Sequence, residues 1–252
     1  MTKKFFYPWQ IILTCSVLLL SSCQSHFDLV KANRKQYSIN NTVEADSSII
    51  KFYLPYKQKM EAEMNAVIGR TDSSLYKGKE AESTLGNFFA DACLAEAKKI
   101  DPAIDFAMPS TNGGLRNSIP QGNVTRSNIF ELMPFENELW VLKLKGSDVA
   151  ELINFIAKSG GQPVAGIRLV IKDKKAAEIY IHEKPFDVNQ TYNVLTSDYI
   201  AGGGDGTWGM AQPIEKKVLN LKVRDALLNY IKIQTAEGKN LTTKLDGRIT
   251  KY

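Results

Sequence analysis

The sequence predicts a mixed α/β fold of the α+β type, a single layered domain with a mixed sheet. Three observations point there. Segments of helical period are interleaved with clusters of short strands, without a regular strand–helix–strand alternation. No Pro/Gly/Ser-rich linker divides residues 45–252. The composition over 252 residues is 44% hydrophobic and 23% charged, with 17 Gly and 9 Pro, which is globular and sufficient for one good-sized domain.

Residues 1–22 read as an export signal. Lys3 and Lys4 precede a short apolar run, Ile11 to Leu20, too short to span a bilayer. Leu20-Ser21-Ser22-Cys23 resembles a bacterial lipobox, which implies lipidation of Cys23 and anchoring to a membrane of the cell envelope. Residues 23–44 then form the lipidated cysteine and a polar tether. Removal of the signal lowers the formal charge from +5 to +3, because it takes away two lysines and no acid.

The domain is expected over 45–252. Residues 45–66 place Ile49, Phe52, Tyr53, Tyr56, Met60 and Met64 at spacings of three and four, an amphipathic helix kinked or started at Pro55 whose stripe reads as core packing. A strand at Val67–Ile68 follows. Thr84 to Ile100 is the strongest helix, with Ser83 or Thr84 as its cap. Ile104–Met108 reads as a short strand and 109–121 as an irregular Gly/Asn/Ser/Pro loop. Thr125 caps a short helix through Met133, Leu139–Leu144 alternates as a strand, and Ser147–Ser159 is a periodic helix stopped by Gly160. Strands are expected at Ile167–Ile171, Glu178–Ile181 and Tyr192–Thr196. A glycine loop covers 197–210, a last helix Val223–Gln234, and a closing strand Arg248–Thr250.

Composition also excludes functions. Two histidines, His26 and His182, make a multi-histidine metal centre improbable. Three cysteines, Cys15, Cys23 and Cys93, give no disulfide scaffold. Cys93 lies on an apolar helix face, as a structural thiol does. The charge is scattered, with no concentrated basic face for nucleic acid. No Ser/His/Asp or Cys/His arrangement has supporting context.

Two loops carry candidate chemistry. Ser110-Thr111-Asn112-Gly113-Gly114-Leu115-Arg116-Asn117 pairs glycines that permit close backbone approach to an anion with an arginine whose fork suits phosphate or carboxylate; an ordinary turn has the same composition. Ser197-Asp198-Tyr199-Ile200-Ala201-Gly202-Gly203-Gly204-Asp205-Gly206 sets a carboxylate near an aromatic ring, able to accept from sugar hydroxyls and to stack on a base; a flexible connection is the bland reading. Phe135, after Pro134, adds a second ring at a helix-to-strand turn.

Taken together these elements resemble the C-terminal, substrate-binding domain of the 5'-nucleotidase family. The matching segments occur in the family's order: Leu85-Gly86-Asn87, Gly113-Gly114-Leu115-Arg116, Gly122-Asn123-Val124-Thr125, Pro134-Phe135-Glu136-Asn137, Leu144-Lys145-Gly146, Tyr192-Asn193-Val194, Asp198 to Ala201, and Gly203-Gly204-Asp205-Gly206. The resemblance implies that Phe135 and Tyr199 sandwich a nucleobase, that Asp205 binds ribose, that Arg116 binds on the phosphate side, and that Asn137 helps hold the base. Asn112, Gly113, Gly114 and Gly204 join the binding set. The chain departs from the family at Thr111, where an asparagine is usual, at Glu82 to Asn87, where many members have an extra arginine, and at Tyr199, where Phe is commoner.

Full-length members also carry a metallophosphatase domain that holds two metals. No Asp-x-His, Asn-His-Glu or Gly-His-x-His segment occurs in this sequence. The resemblance therefore implies a nucleotide-binding half of a 5'-nucleotidase, without catalytic residues, metal ligands or cofactor of its own. A separate metallophosphatase chain would supply divalent metals, with the helix at 45–66 as a docking surface. The alternative is a non-catalytic lipoprotein that captures nucleosides or sugar nucleotides, or acts as a scaffold.

Overall fold

A computed structural model describes residues 31–40, 42–78, 80–207, 209–210 and 212–252. The segment expected to be an export signal, with Cys15, the expected lipidation site Cys23 and His26, lies outside the described residues. The chain divides into two units, Met1–Ile50 and Lys51–Tyr252. In the first, residues 31–40 have no regular secondary structure. The carboxylate of Asp46 then caps a helix by accepting from the Ser48 amide at 2.8 Å.

That helix, α1 (Ser47–Met64), runs through Pro55 without stopping. None of its residues is buried, and Phe52, Tyr56 and Met60 are 73%, 69% and 60% exposed. The aromatic and methionine stripe is therefore not core packing, contrary to its reading from sequence. Helical spacing shows that one face is apolar, not what covers it.

The larger unit continues with β1 (Val67–Thr71), α2 (Thr84–Lys98), β2 (Phe106–Ala107), β3 (Gly122–Thr125), α3 (Arg126–Leu132), β4 (Glu138–Lys145) and α4 (Gly146–Lys158). Next are β5 (Ile167–Lys172), β6 (Lys175–Ile181), β7 (Lys184–Pro185), β8 (Thr191–Ser197), α5 (Asp198–Ala201), β9 (Glu215–Lys222), α6 (Val223–Ala236) and β10 (Ile249–Lys251). Helix α2 begins where Ser83 accepts from the Gly86 amide, and α3 where Thr125 and Asn128 form a reciprocal capping box.

The strands form two four-stranded sheets, β2-β8-β4-β9 and β10-β5-β6-β7, and a β1-β3 pair. Both larger sheets are mixed: β2 lies parallel to β8 and β4 antiparallel to it, and β10 lies parallel to β5. One core cluster packs α2, α3 and α6 around Phe89, Leu132 and Leu227; a second packs α4 against both larger sheets through Ile153, Leu142 and Leu169. Strands β3, β7 and β9 go beyond the expectations from sequence. Strand β9 (Glu-Lys-Lys-Val-Leu-Asn-Leu-Lys) buries only Leu219 and bears lysines along a sheet edge, so it lacks a strand's apolar alternation. Among the described residues, no helix is long and apolar enough to cross a membrane.

The topology fixes where a site can form. The first glycine loop lies beyond the C-terminal end of β2, and α5 with the second loop follows the C-terminal end of β8. The Pro134–Asn137 turn enters the N-terminal end of β4, which is antiparallel to β8 with Leu139 opposite Ser197. All three segments thus meet at one end of the β2-β8-β4-β9 sheet, the kind of crevice where strand ends leave room for ligands.

Candidate functional site

At that end lies a cavity of about 770 Å³. Its lining includes Gly113, Gly114 and Arg116 from the first loop, Phe135 and Asn137 from the turn, and Tyr199 and Asp205 from the second loop. Ser110, Met133, Pro134, Glu136 and Asp198 complete it. Of the candidate residues, Asn112 and Gly204 do not line it. Asn112 turns toward the loop after α4, where its side-chain amide donates to Gly161 O at 3.0 Å and its backbone N–H to Gln162 Oε1 at 2.8 Å.

The first loop is braced from two sides. The Arg116 N–H donates to Leu132 O at 2.9 Å, tying the loop to the end of α3. Lys77 Nζ donates to Asn112 O at 3.0 Å and Leu115 O at 3.1 Å, across the loop's base. Neither Gly113 nor Gly114 has a left-handed φ. A Cβ on Gly114 would fall 2.0 Å from the Ser110 hydroxyl oxygen, so that hydroxyl would have to rotate away. The Arg116 guanidinium sits 5.3 Å from the centroid of the Phe135 ring, within cation–π range.

The turn is clamped from behind. Arg224, 7% exposed, donates to Phe135 O at 3.3 Å and pairs with Glu136, which also pairs with Lys222. The two cations hold the Glu136 carboxyl down at about 2. Asn137 donates through Nδ2 to Asp198 Oδ1 at 3.0 Å, and that oxygen also accepts from the amides of Glu138 and Tyr199. A carboxylate only accepts, so this contact fixes which way the Asn137 amide faces.

In the second loop, Gly203, Asp205 and Gly206 all have left-handed φ. Asp tolerates that conformation better than most residues. The Tyr199 ring lies directly on Gly204, where a Cβ would come within 2.5 Å of a ring carbon. So Gly204 contributes by supporting the ring. Tyr199 Oη donates to Asp205 Oδ1 at 2.9 Å, and the Thr111 hydroxyl donates to Asp205 Oδ2. The Asp205 carboxylate beside it raises the Tyr199 phenol above its ordinary range.

Thr111 and Lys77 are the positioning residues that the sequence did not single out for these roles. Glu82 is engaged elsewhere: its carboxylate accepts from the amides of Asp246 and Gly247 and from Asn87, anchoring the segment before β10. His182 sits at left-handed φ in the β6–β7 turn, 3.5 Å from Asp105, away from the cavity. Burial pushes the Cys93 thiol well up, so it is no nucleophile. Among the described residues, no group of three or more His, Cys, Asp and Glu could hold a metal ion.

A family model described as "5'-nucleotidase, C-terminal domain" matches residues 62–213. A 5'-nucleotidase of Vibrio vulnificus is 27% identical over 199 residues, covering 71% of this chain and 35% of that protein. Protein UshA of Yersinia enterocolitica is 30% identical over 169 residues, covering 65% of this chain and 30% of that protein. The chain thus spans about a third of the length of these curated relatives. The crystal structure of a 5'-nucleotidase precursor from Thermus thermophilus superposes with a TM-score of 0.69 at 25% identity, over 80% of this chain and 42% of that one.

Proposed function

The chain belongs to the 5'-nucleotidase C-terminal domain family, and from that premise we propose that it binds nucleotides or nucleosides. The observation that carries this reading is the convergence of Phe135, Tyr199, Asp205 and Arg116 on one cavity from three separate segments. A base stacks between the two rings, with Asn137 beside it. The ribose hydroxyls donate to Asp205, and Arg116 meets the phosphate side. Both rings are partly open to solvent, Phe135 at 36% and Tyr199 at 50%, which leaves apolar faces for a base.

Hydrolysis of the phosphate ester depends, in this proposal, on a separate metallophosphatase chain. That chain would hold the divalent metals, and the chemistry they would supply is activation of a water toward the phosphate. The exposed apolar stripe of α1 is the docking surface for it. The N-terminal sequence supports export and lipid anchoring at Cys23. Mass spectrometry of the mature N-terminus tests this, and an unmodified Cys23 refutes it.

Titration of the purified chain with adenosine and AMP tests the binding reading. Saturable binding that is weakened about tenfold or more in Phe135→Ala supports it; no binding by the intact chain points instead to a scaffolding lipoprotein. Addition of a metallophosphatase with divalent metal, assayed for phosphate release from AMP, tests the partner. No complex and no stimulation refute that part alone and leave a non-catalytic nucleoside or sugar-nucleotide binder.

A further inference from the structure

One ammonium holds two carbonyls of the first glycine loop from outside the cavity. Lys77 Nζ donates to Asn112 O at 3.0 Å and to Leu115 O at 3.1 Å, on either side of Gly113-Gly114. Among the described residues, neither carbonyl has another donor. Lys77 does not itself line the cavity, and its segment has its own anchors. The buried Leu75 exchanges backbone hydrogen bonds with Ile119, at 2.8 and 3.0 Å. The Tyr76 N–H donates to the Thr84 hydroxyl at 3.1 Å, and Tyr76 O accepts from the Leu85 amide at 3.3 Å, both at the start of α2. The ammonium thus springs from a fixed root. The peptide between Leu115 and Arg116 is gripped at both of its polar groups, the carbonyl by Lys77 and the N–H by Leu132 O at 2.9 Å. A trans peptide points these two groups in opposite directions, so the two contacts fix the plane from which the Arg116 side chain leaves. The guanidinium then returns to Gly113 O at 3.3 Å. A loop carbonyl turned into the cavity would repel an anion, and Lys77 keeps two of them turned away.

We propose that Lys77 is a positioning residue for the anionic end of the ligand. It acts through the loop main chain: by holding the Asn112 and Leu115 carbonyls it sets the reach of Arg116 and keeps acceptor oxygens out of the path of a phosphate. Lys77 consequently governs the preference for nucleotides over nucleosides. The stacking of the base does not depend on it, because both rings are held by other contacts. This rests on the nucleotide reading above and adds the device that selects a phosphorylated ligand. A second explanation would make Lys77 a remote positive charge that attracts any anion. The two differ in salt dependence, since hydrogen bonds to carbonyls survive screening and a charge acting at a distance does not.

The test is calorimetric titration of the full chain in detergent with AMP and adenosine, at about 0.15 M and about 0.5 M salt. The proteins are wild type, Lys77→Met and Lys77→Arg. Wild type binds AMP more tightly than adenosine. Lys77→Met lowers AMP affinity about tenfold, as for the loss of hydrogen bonds made by a charged donor. Its adenosine affinity falls less than about twofold, because both stacking faces remain. The gap between wild type and Lys77→Met for AMP persists at about 0.5 M salt, where the screening length is about 4 Å. Lys77→Arg keeps the charge and the donors and brings AMP affinity back to within about threefold of wild type. An unchanged preference for AMP in Lys77→Met overturns the proposal. So does an equal weakening of both ligands, which marks a purely structural role, and so does a gap that vanishes at high salt, which marks a remote charge. A Lys77→Arg variant that binds AMP no better than Lys77→Met also overturns it. Equal binding of AMP and adenosine by wild type overturns it and leaves nucleoside binding standing. Binding of neither removes the nucleotide reading and this proposal together.

Discussion

Phe135 and Tyr199 line the same cavity, yet Tyr199 is fixed through its own side chain and Phe135 through its backbone. Tyr199 rests on Gly204 and donates to Asp205. Phe135 has no such tether. Its carbonyl is gripped by Arg224, its neighbour Glu136 is paired with Arg224 and Lys222, and the Arg116 guanidinium faces its ring. Two walls that offer similar aromatic faces are therefore expected to fail in different ways. Loss of the Tyr199 side chain removes a stacking face and releases a carboxylate. Loss of the Phe135 side chain removes a face and leaves the turn clamped.

The largest effect follows from that asymmetry. Stacking contributes about 1–3 kcal/mol per base, so Phe135→Ala is expected to weaken adenosine binding about tenfold or somewhat more. Tyr199→Ala also frees Asp205, and its loss is expected to approach about a hundredfold when a further bond to a charged group is included. Equilibrium titration of both variants decides the order. Equal losses, or a larger loss in Phe135→Ala, would break the view that only one wall is coupled to the sugar contact.

Gly204→Ala sharpens the same contrast with a smaller change. Its methyl group needs the space now filled by the Tyr199 ring, at 2.5 Å. Accommodating an extra methyl in a filled space costs about 1–3 kcal/mol where nothing can move. Here the ring is half exposed and can swing outward, giving up Asp205. Adenosine affinity is thus expected to fall about tenfold, with a shift in melting temperature of only a few degrees. Thermal unfolding and titration of the same sample check it. A large drop in stability with affinity preserved would show that the ring stays put and the backbone yields instead.

Which parts of this were legible in the sequence has a physical reason. Phe135, Tyr199, Asp205 and Arg116 stand in short motifs whose order survives in one dimension, and all four line the cavity. The role of Thr111 depends on a hydroxyl meeting a carboxylate 94 residues away, which no local pattern carries. The grip of Lys77 on two loop carbonyls is equally non-local, at 35 and 38 residues. Asn112 reads as a better ligand than Thr111 until the loop after α4 supplies Gly161 O and Gln162 as its partners. The helices α2, α4 and α6 were legible because each buries one face, whereas the polar β9 is held mainly by its ladder with β4. The stripe on α1 shows the converse: its period gives the helix, and the absence of any buried residue corrects the expectation that it packs into a core.

The smallest expected effect concerns the wall held by its backbone. Lys222 and Arg224 hold the Glu136 carboxyl at about 2, against 4.5 for an unperturbed glutamate. With the folded-state value depressed, the unfolded chain takes up a proton first as the pH falls. The contribution of this carboxylate is therefore fully present above about pH 4.5 and lost progressively as the pH drops toward 2. The carboxylate is well exposed and screened by solvent, so its share of stability is small. Comparing melting temperatures of wild type and Glu136→Gln across pH isolates it. The difference is expected to be constant from pH 7 to about 5 and to close below about pH 4.5. Because the same clamp sets the Phe135 turn, any difference in adenosine affinity between the two proteins follows the folded-state carboxyl and should persist until the pH approaches about 2. A gap in melting temperature that persists unchanged at pH 3 would mean that the turn is held by the Arg224 contacts to backbone carbonyls, with the carboxylate contributing no charge-dependent part.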